Sequence, residues 1–281
     1  LLGSATLSAQ VKLLPIFSDN MVLQHQTQAP IWGESKPNKK VEITTSWDQK
    51  KYTIQADAQG KWSTKVATPV AGGPYNITIS DGKKVKLSNV MIGEVWICSG
   101  QSNMEMQVEG WGKVKNYEQE KEEANNYPNI RFLLVENAMS PTPVENITVK
   151  ENGWQVCTSK SVADFSAAGY FFGRDLNKYR NVPIGLIDTS WGGTIIETWT
   201  SNEALSTIPS MKKRLEALVG LPASQEGRKK KFEEDVETWK AEVERIDKGC
   251  VNGKAIWAAP DFNDAAWKFM KDPVLVQELE M

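Results

Sequence analysis

Between residues 13 and 90, apolar and polar positions alternate in short runs. Val41-Glu42-Ile43-Thr44-Thr45-Ser46-Trp47 and Lys51-Tyr52-Thr53-Ile54-Gln55-Ala56 put every second side chain on one face, the period of a half-buried strand. Ala58-Gln59-Gly60-Lys61-Trp62 reads as a turn into another strand. Tyr75-Asn76-Ile77-Thr78-Ile79 follows Gly72-Gly73-Pro74 and runs into Asp81-Gly82, a strong hairpin signal. Short strands with this turn punctuation predict a small β-sandwich over residues 10–90.

From residue 91 the pattern changes to short, continuous apolar runs: Glu94-Val95-Trp96-Ile97-Cys98, Ile130-Arg131-Phe132-Leu133-Leu134-Val135 and Ile184-Gly185-Leu186-Ile187-Asp188. Between the last two lies a predicted helix, Ser166 to Leu176, with Ser166 near its N-cap. Buried strands alternating with helices predict a parallel α/β sheet within residues 91–250. From Asn202 to about Asp247 the reading is helical. Phe232, Val236, Trp239, Val243 and Ile246 step by 4, 3, 4 and 3, an apolar seam on one face. Arg228-Lys229-Lys230-Lys231 reads as the solvated start of that helix rather than a binding patch, because acidic residues follow at once. In residues 251–281, Trp257, Pro260, Asp261, Phe262, Asn263, Asp264 and Trp267 read as loops and strands of a further β module. About thirty residues are too few to close a core, so the expectation is a chain that stops inside a domain.

Composition narrows the chemistry. The 281 residues carry 33 Lys plus Arg against 35 Asp plus Glu, a formal charge of −2, which gives no electrostatic footprint for nucleic acid or an anionic membrane. No run approaches the roughly 18 apolar residues of a membrane-spanning helix. The three cysteines, Cys98, Cys157 and Cys250, are far apart and form no CxxC pair, so they read as small buried thiols rather than zinc ligands. Cys98–Cys157 pairing has no support in the sequence. Only one histidine is present, His25, which excludes a two-histidine metal site. Asn76 and Asn146 open N-x-Thr sequons to which no function is assigned. Residues 1–9, apolar and small up to Ser8-Ala9, are similar to the tail of a secretory signal peptide cut after Ala9, which implies a periplasmic or secreted protein.

Two turns carry candidate chemistry. Ser99-Gly100-Gln101-Ser102-Asn103-Met104 follows a predicted buried strand, where an α/β sheet binds its ligands. That position suits Ser102 to a nucleophile's role, with its own backbone N–H as a donor to a developing oxyanion. The α/β-hydrolase elbow G-x-S-x-G is disfavoured, since Met104 stands at its last position. The second turn is Asp188-Thr189-Ser190-Trp191-Gly192-Gly193-Thr194, where two glycines allow close backbone approach to a ligand. Of the eleven tryptophans, Trp32, Trp47, Trp62 and Trp96 read as core, and Trp111, Trp191 and Trp199 as candidates to line a sugar cleft.

Gly100-Gln101-Ser102-Asn103-Met104 resembles the first block of the SGNH hydrolases, in the form used by sialate O-acetylesterases and related carbohydrate acetylesterases. Phe17-Ser18-Asp19-Asn20-Met21-Val22-Leu23-Gln24, Ile31-Trp32-Gly33 and Gly93-Glu94-Val95-Trp96-Ile97-Cys98 are similar to earlier blocks of that family. Phe165 to Gly173, Ile184 to Thr194 and Glu197-Thr198-Trp199 are similar to later ones, so the resemblance covers about residues 13–205. It implies an α/β, flavodoxin-like three-layer domain, incomplete here, preceded by the β-sandwich. It also implies that residues 251–281 open an inserted galactose-binding-like jelly roll. It implies Ser102 as nucleophile, with the Ser102, Gly192 and Gly193 N–H groups as oxyanion donors, Gly193 foremost. Gln101, Asn103, Trp191 and Thr194 become substrate contacts, and no cofactor or metal is needed. The substrate implied is O-acetylated sialic acid or another acetylated glycan, xylan included. The family's later Gln-Gly-Glu and Asp-x-x-His segments, the latter the source of the base, are absent from the 281 residues. His25 lies in the β-domain block and reads as a surface or edge histidine, and the acids Asp188, Glu105 and Glu197 read as orienting loops rather than abstracting protons. A non-catalytic glycan-binding protein is the competing reading; a paired-carboxylate glycosidase lacks an acid pair at a sheet edge.

Overall fold

The computed structural model describes residues 11–140, 144–219, 225–252 and 254–267. The chain divides into two compact units, Leu1–Lys212 and Lys213–Met281.

The first unit opens with β1 (Lys12–Leu13), β2 (Val22–Gln24), β3 (Gln28–Glu34), β4 (Lys40–Thr45), β5 (Lys51–Gln55), β6 (Lys61–Ala67) and β7 (Gly72–Ser80). β1, β3 and β6 form an antiparallel sheet; β5, β4 and β7 join a larger one. Alternation produces the packing. Ile31 and Val66 of the small sheet and Val41, Ile43, Ile77 and Ile79 of the large one are fully buried in one apolar cluster, while their neighbours face water. The expected hairpin at Asp81-Gly82 joins β7 to β8 (Lys84–Cys98).

β8 is one strand of 15 residues, so the expected change of pattern at residue 91 falls inside a single element. Its first half pairs with β7, Met91 to Gly93 pair with β2, and Glu94 to Cys98 pair in parallel with β11. Two short helices follow, α1 (Ser102–Glu105) and α2 (Tyr117–Ala124), then β9 (Ile130–Leu134), β10 (Gln155–Val156), α3 (Ala167–Arg180) and β11 (Ile184–Asp188). The large sheet is therefore mixed, in the order β10-β9-β11-β8-β7-β4-β5, with β2 beside β8. α3 starts where the sequence places it: Ser166 Oγ accepts the Gly169 N–H at 3.0 Å. Small residues let it sit close to the sheet, since a Cβ on Gly173 would meet Leu186 Cδ1 at 2.7 Å. Beneath it a second cluster gathers Phe132, Phe165, Tyr170, Ile184 and Leu186, with the Phe132 and Phe165 rings stacked 4.2 Å apart. Cys98 and Cys157 are free, buried thiols. Trp96 departs from its expected core place. No described strand pairs the far edge of Glu94 to Cys98, and the indole is 42% exposed against Phe172.

After β11 come α4 (Asn202–Leu205) and α5 (Pro209–Val219), in which the division between units falls. The second unit contains α6 (Gln225–Ile246) and a hairpin of β12 (Cys250–Val251) and β13 (Lys254–Ala255). α6 forms as the seam predicts, but the seam is not covered: Phe232 is 67% and Trp239 64% exposed. Ion pairs along the surface favour the helix instead, among them Lys231–Asp235 at 3.0 Å and Lys240–Glu237 at 2.8 Å, each a small, solvent-screened contribution. Lys229, Lys230 and Lys231 all pair with acids one turn on, as expected of a solvated face. Trp257, Phe262 and Trp267 meet in a small aromatic group, with Trp257 and Trp267 edge to face at 5.7 Å. The expected signal remnant, residues 1–9, and the last fourteen residues of the chain lie outside the described residues.

Candidate active site

β8 and β11 are parallel neighbours in register, Asp188 opposite Cys98, so both end at the same level of the sheet. The two loops that leave them are the two glycine-containing turns, and they are bonded to one another along their length. Thr189 N–H donates to Cys98 O, and Trp191 N–H to Gly100 O, both at 2.9 Å. Gln101 Nε2 donates to Thr194 O at 3.1 Å. Gly100 adopts φ +140°, a value side chains rarely take, and so lets the chain turn from strand into α1.

Ser102 is the first residue of α1 and is half-buried. Its helix is closed by Met104 and Glu105 N–H groups donating to Gln101 O, and Met106 N–H donating to Ser102 O. The second loop lies against the hydroxyl: a Cβ on Gly192 would stand 3.5 Å from Ser102 Oγ and 2.5 Å from Glu105 Oε2. Glu105 explains that closeness. Its Oε2 accepts the Gly192 N–H at 2.8 Å, and its Oε1 lies 3.5 Å from Asn137 Nδ2. The Gly192 N–H is thus occupied. Gly193, at φ +76°, is exposed, with open space around its Cβ position. Among the described residues neither the Gly193 nor the Ser102 N–H has a hydrogen-bond partner. Two backbone donors are therefore free beside one serine hydroxyl.

The other expected site residues divide. Gln101 and Thr194 hold the loops: Thr194 Oγ1 also donates to Trp191 O at 2.7 Å and accepts from Trp199 Nε1 at 3.0 Å. Asn103 is exposed and Trp191 half-buried. Trp111 is exposed. Cys98 is no rival nucleophile, because burial, with the Asp188 carboxylate adding to it, pushes its thiol up to about 12. Asp188 turns back into its own loop, where Oδ1 accepts the Ser190 N–H at 2.9 Å and Oγ at 2.6 Å. Burial raises its carboxyl above the ordinary aspartate value.

Ser102 Oγ has no hydrogen bond to a base among the described residues. His25 is far from it along the sheet. The His25 N–H donates to Gly93 O, five residues before Cys98 on β8, roughly 17 Å at ~3.3 Å per strand residue. The residue is half-buried, and its Nδ1 lies 3.2 Å from Gln26 Oε1. Among the described residues no three His, Cys, Asp or Glu side chains gather as a metal-binding group. The sequence reads Glu105 as an acid that orients a loop rather than abstracts a proton, and its bond to Gly192 shows which loop it holds. The signal available was its place one turn after Ser102, on the same helix face.

Known proteins share this arrangement of sequence. The family described as carbohydrate esterase, sialic acid-specific acetylesterase, matches residues 92–246. The sialate O-acetylesterase of Mus musculus is 31% identical over 205 residues, covering 67% of this chain and 37% of its own length. That of Homo sapiens is 31% identical over 203 residues, covering 67% and 38%. The chain thus spans little more than a third of these curated relatives. The crystal structure of a carbohydrate acetylesterase from Xanthomonas citri superposes with a TM-score of 0.64 at 31% identity, over 70% of this chain and 44% of that one. With more than half of its length matched, including both loops at the sheet edge, the chain belongs to the sialic acid-specific acetylesterase family of carbohydrate esterases.

Proposed function

We propose that this sequence supplies the nucleophile and part of the oxyanion site of a serine esterase that removes O-acetyl groups from glycan sugars. The observation that carries the reading is the Ser102 hydroxyl lying against Gly192-Gly193 at the carboxyl ends of β8 and β11, with two free N–H donors beside it. Ser102 Oγ attacks the acetyl carbonyl as its proton passes to a base. The carbonyl oxygen becomes an oxyanion between the Ser102 and Gly193 N–H groups. The sugar oxygen leaves with a proton, and water then hydrolyses the acetyl-serine to acetate. Gly192 serves the site through its bond to Glu105. Asn103 and Trp191 contact the sugar, while Gln101 and Thr194 brace the loops. The base belongs to an Asp-x-x-His segment outside these 281 residues, and the chemistry needs no cofactor.

The finer reading of the fold is a flavodoxin-like SGNH domain over residues 91–250, after a β-sandwich over 10–90 and before a jelly-roll module from 251. Residues 1–9 are read as a signal remnant, which supports a periplasmic or secreted protein. O-acetylated sialic acid is the substrate favoured by the relatives' names, with acetylated xylan the alternative; neither nucleic acid nor membrane is a partner.

The test is acetate release by a polypeptide carrying these residues together with the Asp-x-x-His segment. Ser102→Ala is expected to lower kcat by at least about 10³-fold. Release within about twofold of the unmodified protein would mean that another group is the nucleophile. Comparing O-acetylated sialic acid with acetylated xylan in the same assay separates the two substrates.

A further inference from the structure

A groove runs along the β1-β3-β6 sheet, in a part of the chain that the Ser102 chemistry does not use. Its volume is about 620 Å³, within the range of small-molecule sites. β3 alternates buried Ile31 and Gly33 with half-buried Trp32, whose indole packs against the sandwich core, as expected, and leaves part of its surface to the groove. It meets the buried core residue Phe17 at 84° and lines the groove. Register places Trp32 opposite Ser63, and Glu34 opposite Lys61. The far wall comes from a distant segment: Lys61 Nζ donates to Glu145 Oε1 at 2.8 Å, with Asn146 beside it. Asp57, at the same rim, accepts the Lys61 N–H at 2.8 Å. A second indole, Trp62, also lines the groove; it is 4% exposed, and its Nε1 has no hydrogen-bond partner.

An aromatic surface rimmed by carboxylates and an amide is the chemistry of a sugar ring. The C–H faces of a pyranose lie on an indole, and neighbouring hydroxyls bond to carboxylate and amide groups. Two lysines and three carboxylates line the groove, a net charge of −1, which favours neutral hydroxyls over an anionic sugar. We propose that this groove is a second carbohydrate site, one that holds an uncharged pyranose of a glycan on Trp32, between Asn146 and the Lys61–Glu145 pair. The site rests on Trp32 and its rim, not on Ser102 being a nucleophile. It has a link to that serine nonetheless. Asn137, which lies 3.5 Å from Glu105, is eight residues before Glu145 on one connection, a reach of no more than about 28 Å.

The experiment is calorimetric titration of the 281-residue chain with xylotriose, cellobiose and lactose, with N-acetylneuraminic acid as the anionic comparator. None carries an acetyl ester, so failure of the esterase reading does not affect the result. At least one neutral sugar is expected to bind at millimolar Kd, more tightly than N-acetylneuraminic acid. Trp32→Ala is expected to weaken it about tenfold or more and Asn146→Ala about threefold. Trp32→Ala also removes the Phe17 contact, so circular dichroism is recorded for each variant. Should that variant unfold, exposed Asn146 carries the decision. No heat from any neutral sugar at about 50 mM, preference for N-acetylneuraminic acid, or binding unchanged in the folded variants overturns the proposal.

Discussion

Glu105 stands one helical turn after Ser102, yet its carboxylate is directed across to Gly192, 87 residues away in sequence. That bond holds the glycine pair against the serine, beside the loop-to-loop bonds at Thr189, Trp191 and Gln101, and leaves the Gly193 N–H unoccupied. Removing it loosens the glycine pair without touching the hydroxyl. Glu105→Ala is expected to lower kcat by about 10- to 100-fold with a smaller change in KM, since oxyanion stabilisation acts in the transition state. Glu105→Gln retains an acceptor oxygen and is expected to recover most of that loss. On the chain alone, amide exchange at Gly192 should speed up in Glu105→Ala; unchanged exchange would show that the loop is held by other contacts. Ser102 and the glycine pair were legible in sequence because each sits in a turn after an apolar run. Glu105 was legible as a loop-orienting acid, but its partner Gly192 was not, because a bond between residues so far apart leaves no local pattern. The same holds for Trp96, whose alternating neighbours predict burial and whose exposure follows from an uncovered strand edge.

Strands and helices were more legible than their surroundings. Alternation located β4, β5 and β7, and the serine before the Ala167–Arg180 helix located its start, because these signals act within a few residues. The length of β8 was hidden, since its pattern changes from alternating to continuous where its neighbours change from β7 to β11. The seam of α6 predicted the helix but not its exposure, which depends on what lies opposite. Gly93 shows how tightly β8 and β11 are joined: a Cβ there would stand 2.0 Å from the carbonyl oxygen of Pro183. Backbone cannot yield as a side chain tip does, so Gly93→Ala is expected to cost about 1–3 kcal/mol or more in urea unfolding. A loss below about 0.5 kcal/mol would mean that the strands separate freely at this point.

At the scale of the whole molecule, one histidine among 281 residues invites its use as the base. The sheet forbids it. His25 is bonded beside Gly93, while Ser102 lies beyond the far end of the same strand. In the esterase assay, His25→Gln is therefore expected to leave kcat within about twofold, against the 10² or more that losing a general base costs. A drop of that larger size would move the base into this chain. β8 has a mechanical consequence as well. Leu87, Val90 and Ile92 lie in the sandwich core, and Cys98 lies in the core beneath α3. One uninterrupted strand thus threads two hydrophobic interiors, and there is no linker at which the two halves could hinge. In the proposed esterase, opening and closing around a glycan falls to the loops at the sheet edge, while the sandwich keeps a constant bearing on Ser102, like the fixed jaw of a caliper.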